Sequence, residues 1–190
     1  MSSTLVEIAN KYNSDKGTLA FEAHNYAAHY DEWFTEVRDR PITILEIGVK
    51  DIRFPGASLD MWKEYFSQAK LIGFDIVDCR EFDDDRVTTF IGDQGNAFDL
   101  VECASKHGPF DIVIDDGSHL TQNQITSFYT LFPLHVKPNG IYVIEDLHVA
   151  PHSFRYFEAL FSAKLHGGTA FYEILIPGRL LLFKRNGMGG

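Results

Sequence analysis

"FDIVIDDGSHLTQNQ", Phe110 to Gln124, is the stretch whose reading decides the fold. An apolar run from Phe110 to Ile114, broken only by Asp111, stops at Asp115 and Asp116. Gly117, Ser118, His119 and a polar, helix-like start follow. A short apolar run bounded by turn residues reads as a buried strand feeding a helix. Repeated along a chain, that unit builds an α/β domain on a mostly parallel sheet, where ligands bind outside the carboxyl ends of the strands.

The unit does repeat. "ITILEIG" (Ile42 to Gly48) reads as a first strand and "ASLDMWKEYFSQ" (Ala57 to Gln68) as a helix with Leu59, Trp62 and Phe66 on one stripe. "KLIGFDI" (Lys70 to Ile76) and "RVTTFIGD" (Arg86 to Asp93) read as the second and third strands, and "NAFDLVECASKHG" as a helix ended by Gly108. After the fourth strand, "ITSFYTLFPLHVKPNG" predicts a helix and a turn at "KPNG", leading into a fifth strand, "GIYVIEDL". "SFRYFEALFSAKLHGG" (Ser153 to Gly168) predicts a further helix. "TAFYEILIPGRLLLFKR" predicts two strands joined at Pro177-Gly178, too tightly for a parallel crossover, so the last strand must run antiparallel. The expected fold is a Rossmann-like, mostly parallel seven-stranded sheet with an antiparallel last strand. Class I methyltransferases have this architecture, and an edge hairpin also occurs in other α/β folds.

Residues 1–40 lie outside the repeating unit and are expected to form an N-terminal helical cap on the core at 41–185. "DKGTLAFEAHNYAAHYDEWFTEV" would lay helices across the sheet's carboxyl edge, with Tyr26, Tyr30, Trp33 and Phe34 on an aromatic face. Residues 186–190 are expected to be a disordered tail.

A chain of 190 residues, 45% hydrophobic, suits one domain with a continuous core. The formal charge of −10 argues against nucleic acid or an anionic membrane as partner, because such surfaces are held mainly by Lys and Arg. The N-terminus lacks the pattern of a signal peptide, and no apolar run approaches the ~20 residues of a membrane span, so a cytoplasmic, soluble protein is expected. Cys79 and Cys103 read as ordinary reduced residues.

The strand ends carry polar residues: Glu46 and Gly48, Asp75, Asp93 and Gln94, Asp115 and Asp116, then Glu145 and Asp146. A carboxylate closing the second strand, Asp75, suits the two hydroxyls of a ribose. The first loop, "GVKDIRFPGAS", is not the dinucleotide GxGxxG. Gly48 permits close backbone approach, and Gly56 to Ser58 stands where a helix N-terminus would hold a carboxylate. A ligand with a ribose and a carboxylate but no phosphate fits best, namely S-adenosylmethionine. His24, Tyr26 and the Lys16 region are expected to close over it.

Asp116, Glu145 and Asp146 come from adjacent strand ends, and three carboxylates brought together call for a cation. All-oxygen ligands suit Mg²⁺, Mn²⁺ or Ca²⁺. His119, three residues past Asp116, would reach a hydroxyl held there. Histidine is the side chain suited to proton transfer near neutral pH. The plainer alternative has Asp116 or Ser118 capping a helix at Leu120 to Thr130, with His119 exposed. His148 and His152 read as loop histidines or acceptor contacts.

Taken together, "LEIGV", "GASLDMWKEYF", "IGFDI", "GDQ", "FDIVIDDGSH", "LFPLHVKPNGIYVIEDLH" and the N-terminal "SDKGT" and "HNYAAHYDEWF" resemble the metal-dependent sugar O-methyltransferases. That family includes macrolide-tailoring enzymes of the mycinamicin and tylosin pathways and small actinobacterial mannoside and polysaccharide methyltransferases. The resemblance implies Asp116, Glu145 and Asp146 as Mg²⁺ (or Mn²⁺) ligands and His119 as general base. It also implies Tyr26, Glu46, Gly48, Ser58, Asp75, Asp93, Gln94 and Asp115 around S-adenosylmethionine. The acceptor would be a small-molecule glycoside or oligosaccharide, and the commonest assembly would be a homodimer. "GVKDIRFPGAS" is longer and less glycine-rich than the family's usual "GVGGG". A catechol-type O-methyltransferase would share much of this chemistry but completes its metal site with an asparagine, where Leu147 and His148 stand. A non-catalytic S-adenosylmethionine-binding module would have no need of His119. A hydrolase using Ser118 lacks the G-x-S-x-G elbow.

Overall fold

The computed structural model describes residues 3–50, 53–162 and 170–187. Asp51 and Ile52 of the first loop, the expected helix end at 163–168 and the tail from 188 lie outside the described residues. Seven strands form one sheet: β1 (Thr43–Ile47), β2 (Lys70–Asp75), β3 (Val87–Ile91), β4 (Phe110–Asp115), β5 (Val136–Ile144), β6 (Ala170–Ile176) and β7 (Leu180–Arg185). Their order is β3-β2-β1-β4-β5-β7-β6. β1 to β5 pair in parallel, and β7 runs antiparallel between β5 and β6. This is the class I methyltransferase fold, and the hairpin expected at Pro177-Gly178 is present, with Gly178 at φ +73°.

Period-two alternation divides the core. Ile44, Ile112, Ile114 and Val143 face one layer, built by α1 (Leu5–Lys11), α2 (Ala27–Phe34) and α3 (Ala57–Tyr65). Leu45, Ile47, Val113 and Tyr142 face the other, where α4 (Ala97–His107) and α5 (Thr121–His135) pack. α6 (Pro151–Ser162) adds Phe157 to that second layer. Trp62 and Tyr65 of α3 and Phe66 just after it are fully buried, each contributing on the order of 2 kcal/mol of apolar burial.

Two expectations are corrected. Helix does not run through the N-terminal region: Asp15 to Asn25 forms an irregular strap, and helix resumes only at Ala27. The strap is held by side chains rather than by helical periodicity, since Asn10 Oδ1 accepts from Thr18 N (2.8 Å) and Leu19 N (3.1 Å). "KPNG" does not end before the fifth strand but lies within β5 as an irregularity opposite Asp111, with Asn139 at φ +64°. Gly187 N donates to Asn139 Oδ1 at 3.2 Å. No helix among the described residues is long and apolar enough to cross a membrane.

Candidate active site

β1 and β4 are neighbours whose connections leave in opposite directions, the switch point at which open α/β sheets bind ligands. A cavity of about 360 Å³ opens there. Gly48, Asp75, Asp93, Gln94, Asp116, His119, Asp146 and the strap residues Asp15 and His24 all contribute to its wall.

Gly48 makes the close approach possible. Its φ is +83°, and a Cβ on it would lie 2.1 Å from the Asp116 carbonyl oxygen. Only glycine fits where the β1 and β4 loops cross. Asp75 accepts from Val49 N and Lys50 N, both at 3.0 Å, so its carboxylate folds the first loop as well as facing the cavity. Asp93 Oδ1 accepts from Gly95 N at 2.7 Å.

Four of the expected cofactor contacts sit elsewhere than on the main cavity's wall. Asp115 is buried in the second layer, accepting from Gln94 Nε2 (2.6 Å), Tyr142 (2.9 Å) and Ser127. Burial pushes it up to about 6, against those hydrogen bonds. Glu46 is buried in the first layer, accepting from Ser58 Oγ (2.8 Å) and Trp62 Nε1 (3.1 Å). Ser58 faces a smaller adjoining hollow with Ser14, Lys16 and Val49. Tyr26 is buried and donates to Asp146 Oδ1 at 2.5 Å. Its phenol is raised above the ordinary value by burial and by that carboxylate.

The opening stretch now has its geometry. Ligand atoms of Asp116, His119 and Asp146 all lie within 4.8 Å of one another, and His119 Nε2 is 3.8 Å from Asp146 Oδ2. His119 (φ +57°) and Asp146 (φ +51°) both adopt the left-handed conformation, which non-glycine residues occupy at a cost where the surroundings demand it. Of the capping alternative, only the Ser118 part has a counterpart: Ser118 Oγ accepts from Leu120 N (3.4 Å) and Asn123 Nδ2 (2.9 Å) at the start of α5, whereas Asp116 pairs with Lys16 and His119 is half-buried. His119 Nδ1 is buried without a hydrogen-bond partner among the described residues, a mark of an incomplete site. His24 Nδ1 lies 3.3 Å and His148 Nδ1 3.9 Å from Asp146 Oδ1. His152 is exposed on α6.

Glu145 is fully buried, and its two oxygens meet Tyr30 (2.6 Å) and Lys16 (2.9 Å). The sequence reading missed both partners. Lys16 Nζ also lies 2.5 Å from Asp116 Oδ2 and 3.9 Å from Glu46 Oε1. Burial would neutralise this lysine, but Asp116 and Glu145 outweigh it and hold the ammonium. Burial, and for Glu145 the neighbouring Asp116, push both carboxyls up. The cluster thus holds more carboxylate than one ammonium balances. Such an oxygen-rich set with one imidazole fits a hard divalent cation.

No protein-family model matches the chain. A demethylmacrocin O-methyltransferase of Streptomyces fradiae is 45% identical over 150 residues, covering 77% of this chain and 37% of that protein. The chain belongs to the sugar O-methyltransferase family. A second member, the mycinamicin VI 2''-O-methyltransferase of Micromonospora griseorubida, is 44% identical over 150 residues, 77% of this chain and 36% of that one. The chain spans little more than a third of the length of these relatives. Among solved structures, the MycE methyltransferase of the mycinamycin biosynthetic pathway in complex with Mg, SAH and mycinamycin VI superposes with a TM-score of 0.86 at 33% identity, covering 98% of this chain and 55% of that one. A Podospora anserina methyltransferase, 17% identical with a TM-score of 0.60 over 98% of this chain and 89% of its own, shares the fold. The family resemblance carried by "DDGSH" and "IEDL" is borne out.

Proposed function

We propose that the protein transfers a methyl group from S-adenosylmethionine to a hydroxyl of a glycosylated small molecule or oligosaccharide, with Mg²⁺ or Mn²⁺ bound. The carrying observation is the convergence of Asp116, His119 and Asp146 on the wall of a cavity that Asp75, Asp93 and Gln94 also line. The complexes of MycE with Mg and SAH, and the O-methyltransferase names of the relatives, support the same reading.

Asp75 and Gly48 would receive the donor's ribose and backbone-near atoms. Asp115 and Glu46 serve from behind the wall, the first holding Gln94 and the second holding Ser58. Asp116 and Asp146 would hold the cation, with Glu145 joining them by exchanging Lys16 for it. A divalent cation held there would supply Lewis acidity to an acceptor hydroxyl. His119 would take the proton of the attacking hydroxyl, whose oxygen forms a bond to the methyl carbon as the carbon–sulfur bond breaks to leave S-adenosylhomocysteine. Most of the acceleration then comes from positioning and charge. The residue after the acidic pair, Leu147, is fully buried and offers no ligand atom, which disfavours the catechol-type alternative.

His119→Ala and Asp146→Asn test this. Calorimetric binding of S-adenosylmethionine should survive in both, while turnover on glycosylated acceptors falls by at least ~100-fold. Full turnover in His119→Ala would remove the base from the account.

A further inference from the structure

Lys16 is among the largest fully buried side chains of the molecule, and its surroundings are acidic. Its ammonium bridges Asp116 Oδ2 and Glu145 Oε2, with Glu46 3.9 Å away. A buried lysine persists only where fixed anions hold it, and removing one partner of such a pair leaves an uncompensated charge. Asp116 and Glu145 are also carboxylates that the proposed function gives to the metal. Two cations cannot share those oxygens without repulsion, because Coulomb energy rises steeply inside a poorly solvated site.

The lysine is not isolated from the rest of the fold. It belongs to the strap, which is tied back on itself by His24 N to Asp15 O (2.6 Å), Asn25 N to Gly17 O (2.9 Å) and Ala27 N to Lys16 O (2.8 Å). Asp15 and His24 of the same strap line the cavity. The segment that walls the donor and acceptor space therefore also carries the cation that neutralises the acidic cluster.

We propose that Lys16 is the built-in counter-cation of this cluster, and that a divalent ion competes with its ammonium for Asp116 and Glu145, so that metal binding loosens the strap Asp15 to Asn25. The inference rests on the metal site proposed above. Lys16 is a positioning residue here: it keeps the metal-free site folded and lowers the affinity for the ion.

The test uses Mg²⁺ alone, by calorimetry and by amide hydrogen exchange, on the wild-type chain and Lys16→Met. Mg²⁺ should bind Lys16→Met roughly tenfold more tightly or better. In the wild type, the amides of His24, Asn25 and Ala27 should exchange faster as Mg²⁺ saturates. Unchanged or weaker Mg²⁺ affinity in Lys16→Met overturns the proposal, and so does strap exchange that slows or ignores Mg²⁺ in the wild type. If the variant does not fold, the wild-type exchange decides alone. Absence of any Mg²⁺ binding to the wild type would instead overturn the metal site itself, and the competition with it.

Discussion

The Tyr26 hydroxyl donates a 2.5 Å hydrogen bond to Asp146 Oδ1 across 120 positions of chain, joining the start of α2 to the acidic pair after β5. Groups that orient a metal-binding carboxylate are typically worth about 10- to 100-fold in affinity or activity. Tyr26→Phe keeps the ring and its packing but releases that oxygen. Mg²⁺ affinity should fall by about that factor while S-adenosylmethionine binding, measured separately by calorimetry, holds.

Gly48 and Asp116 set a second expectation. Gly48→Ala would drive a methyl into the Asp116 carbonyl and impose a left-handed conformation on a residue with a Cβ. Strain of this kind costs roughly 1–3 kcal/mol before the clash is counted. The variant should lose donor binding by calorimetry and show a lower denaturation midpoint. Wild-type binding in Gly48→Ala would mean that the two loops do not meet as described.

Asp115 accepts three side-chain hydrogen bonds inside the core, from Gln94, Ser127 and Tyr142. Truncation strands the buried Tyr142 hydroxyl and takes one of two partners from Gln94 Nε2 and Ser127 Oγ, a loss on the order of 1–3 kcal/mol. Urea denaturation of Asp115→Ala should show that loss. A change under about 0.5 kcal/mol, typical of surface sites, would contradict the buried network.

Glu46 predicts a pH dependence. Burial pushes its carboxyl up to about 7, against the pull of Lys16 and of the Trp62 and Ser58 hydrogen bonds. The folded state then holds a proton more tightly than the unfolded chain, whose carboxyl has an ordinary value. The stability this contributes is complete below about pH 4.5 and is lost as pH rises through about 7, by roughly 3 kcal/mol at most. Asp115, raised to about 6, acts in the same direction. Metal-free protein should therefore lose urea resistance between about pH 5 and pH 8, and Glu46→Gln should flatten that decline.

The strands and their carboxyl ends were legible because each buried strand is a short apolar run stopped by Asp, Glu or Gly, and the switch point then follows from their order. The expected set Asp116, Glu145 and Asp146 was read from the same strand ends, and the structure brings Asp116 and Asp146 together with His119 while Glu145 turns to Tyr30 and Lys16. Asp115 and Asp116 show what was missed. Neighbours at a strand end face opposite layers, so only Asp116 reaches the site while Asp115 turns to Tyr142. Lys16 was read only as part of a region closing over the cofactor, and its pairing with Asp116 and Glu145 was not legible, because a lone lysine in "SDKGT" carries no periodicity. Its burial arises only when the strap folds over carboxylates about 100 to 129 positions away.

Formation of S-adenosylhomocysteine, followed by mass spectrometry with a panel of glycosylated acceptors and their aglycones, in Mg²⁺ and in EDTA, tests the central claim most directly. Turnover confined to sugar-bearing acceptors, present with Mg²⁺ and abolished by EDTA, is the expected result. Turnover that survives EDTA, or that appears on aglycones alone, would contradict the account.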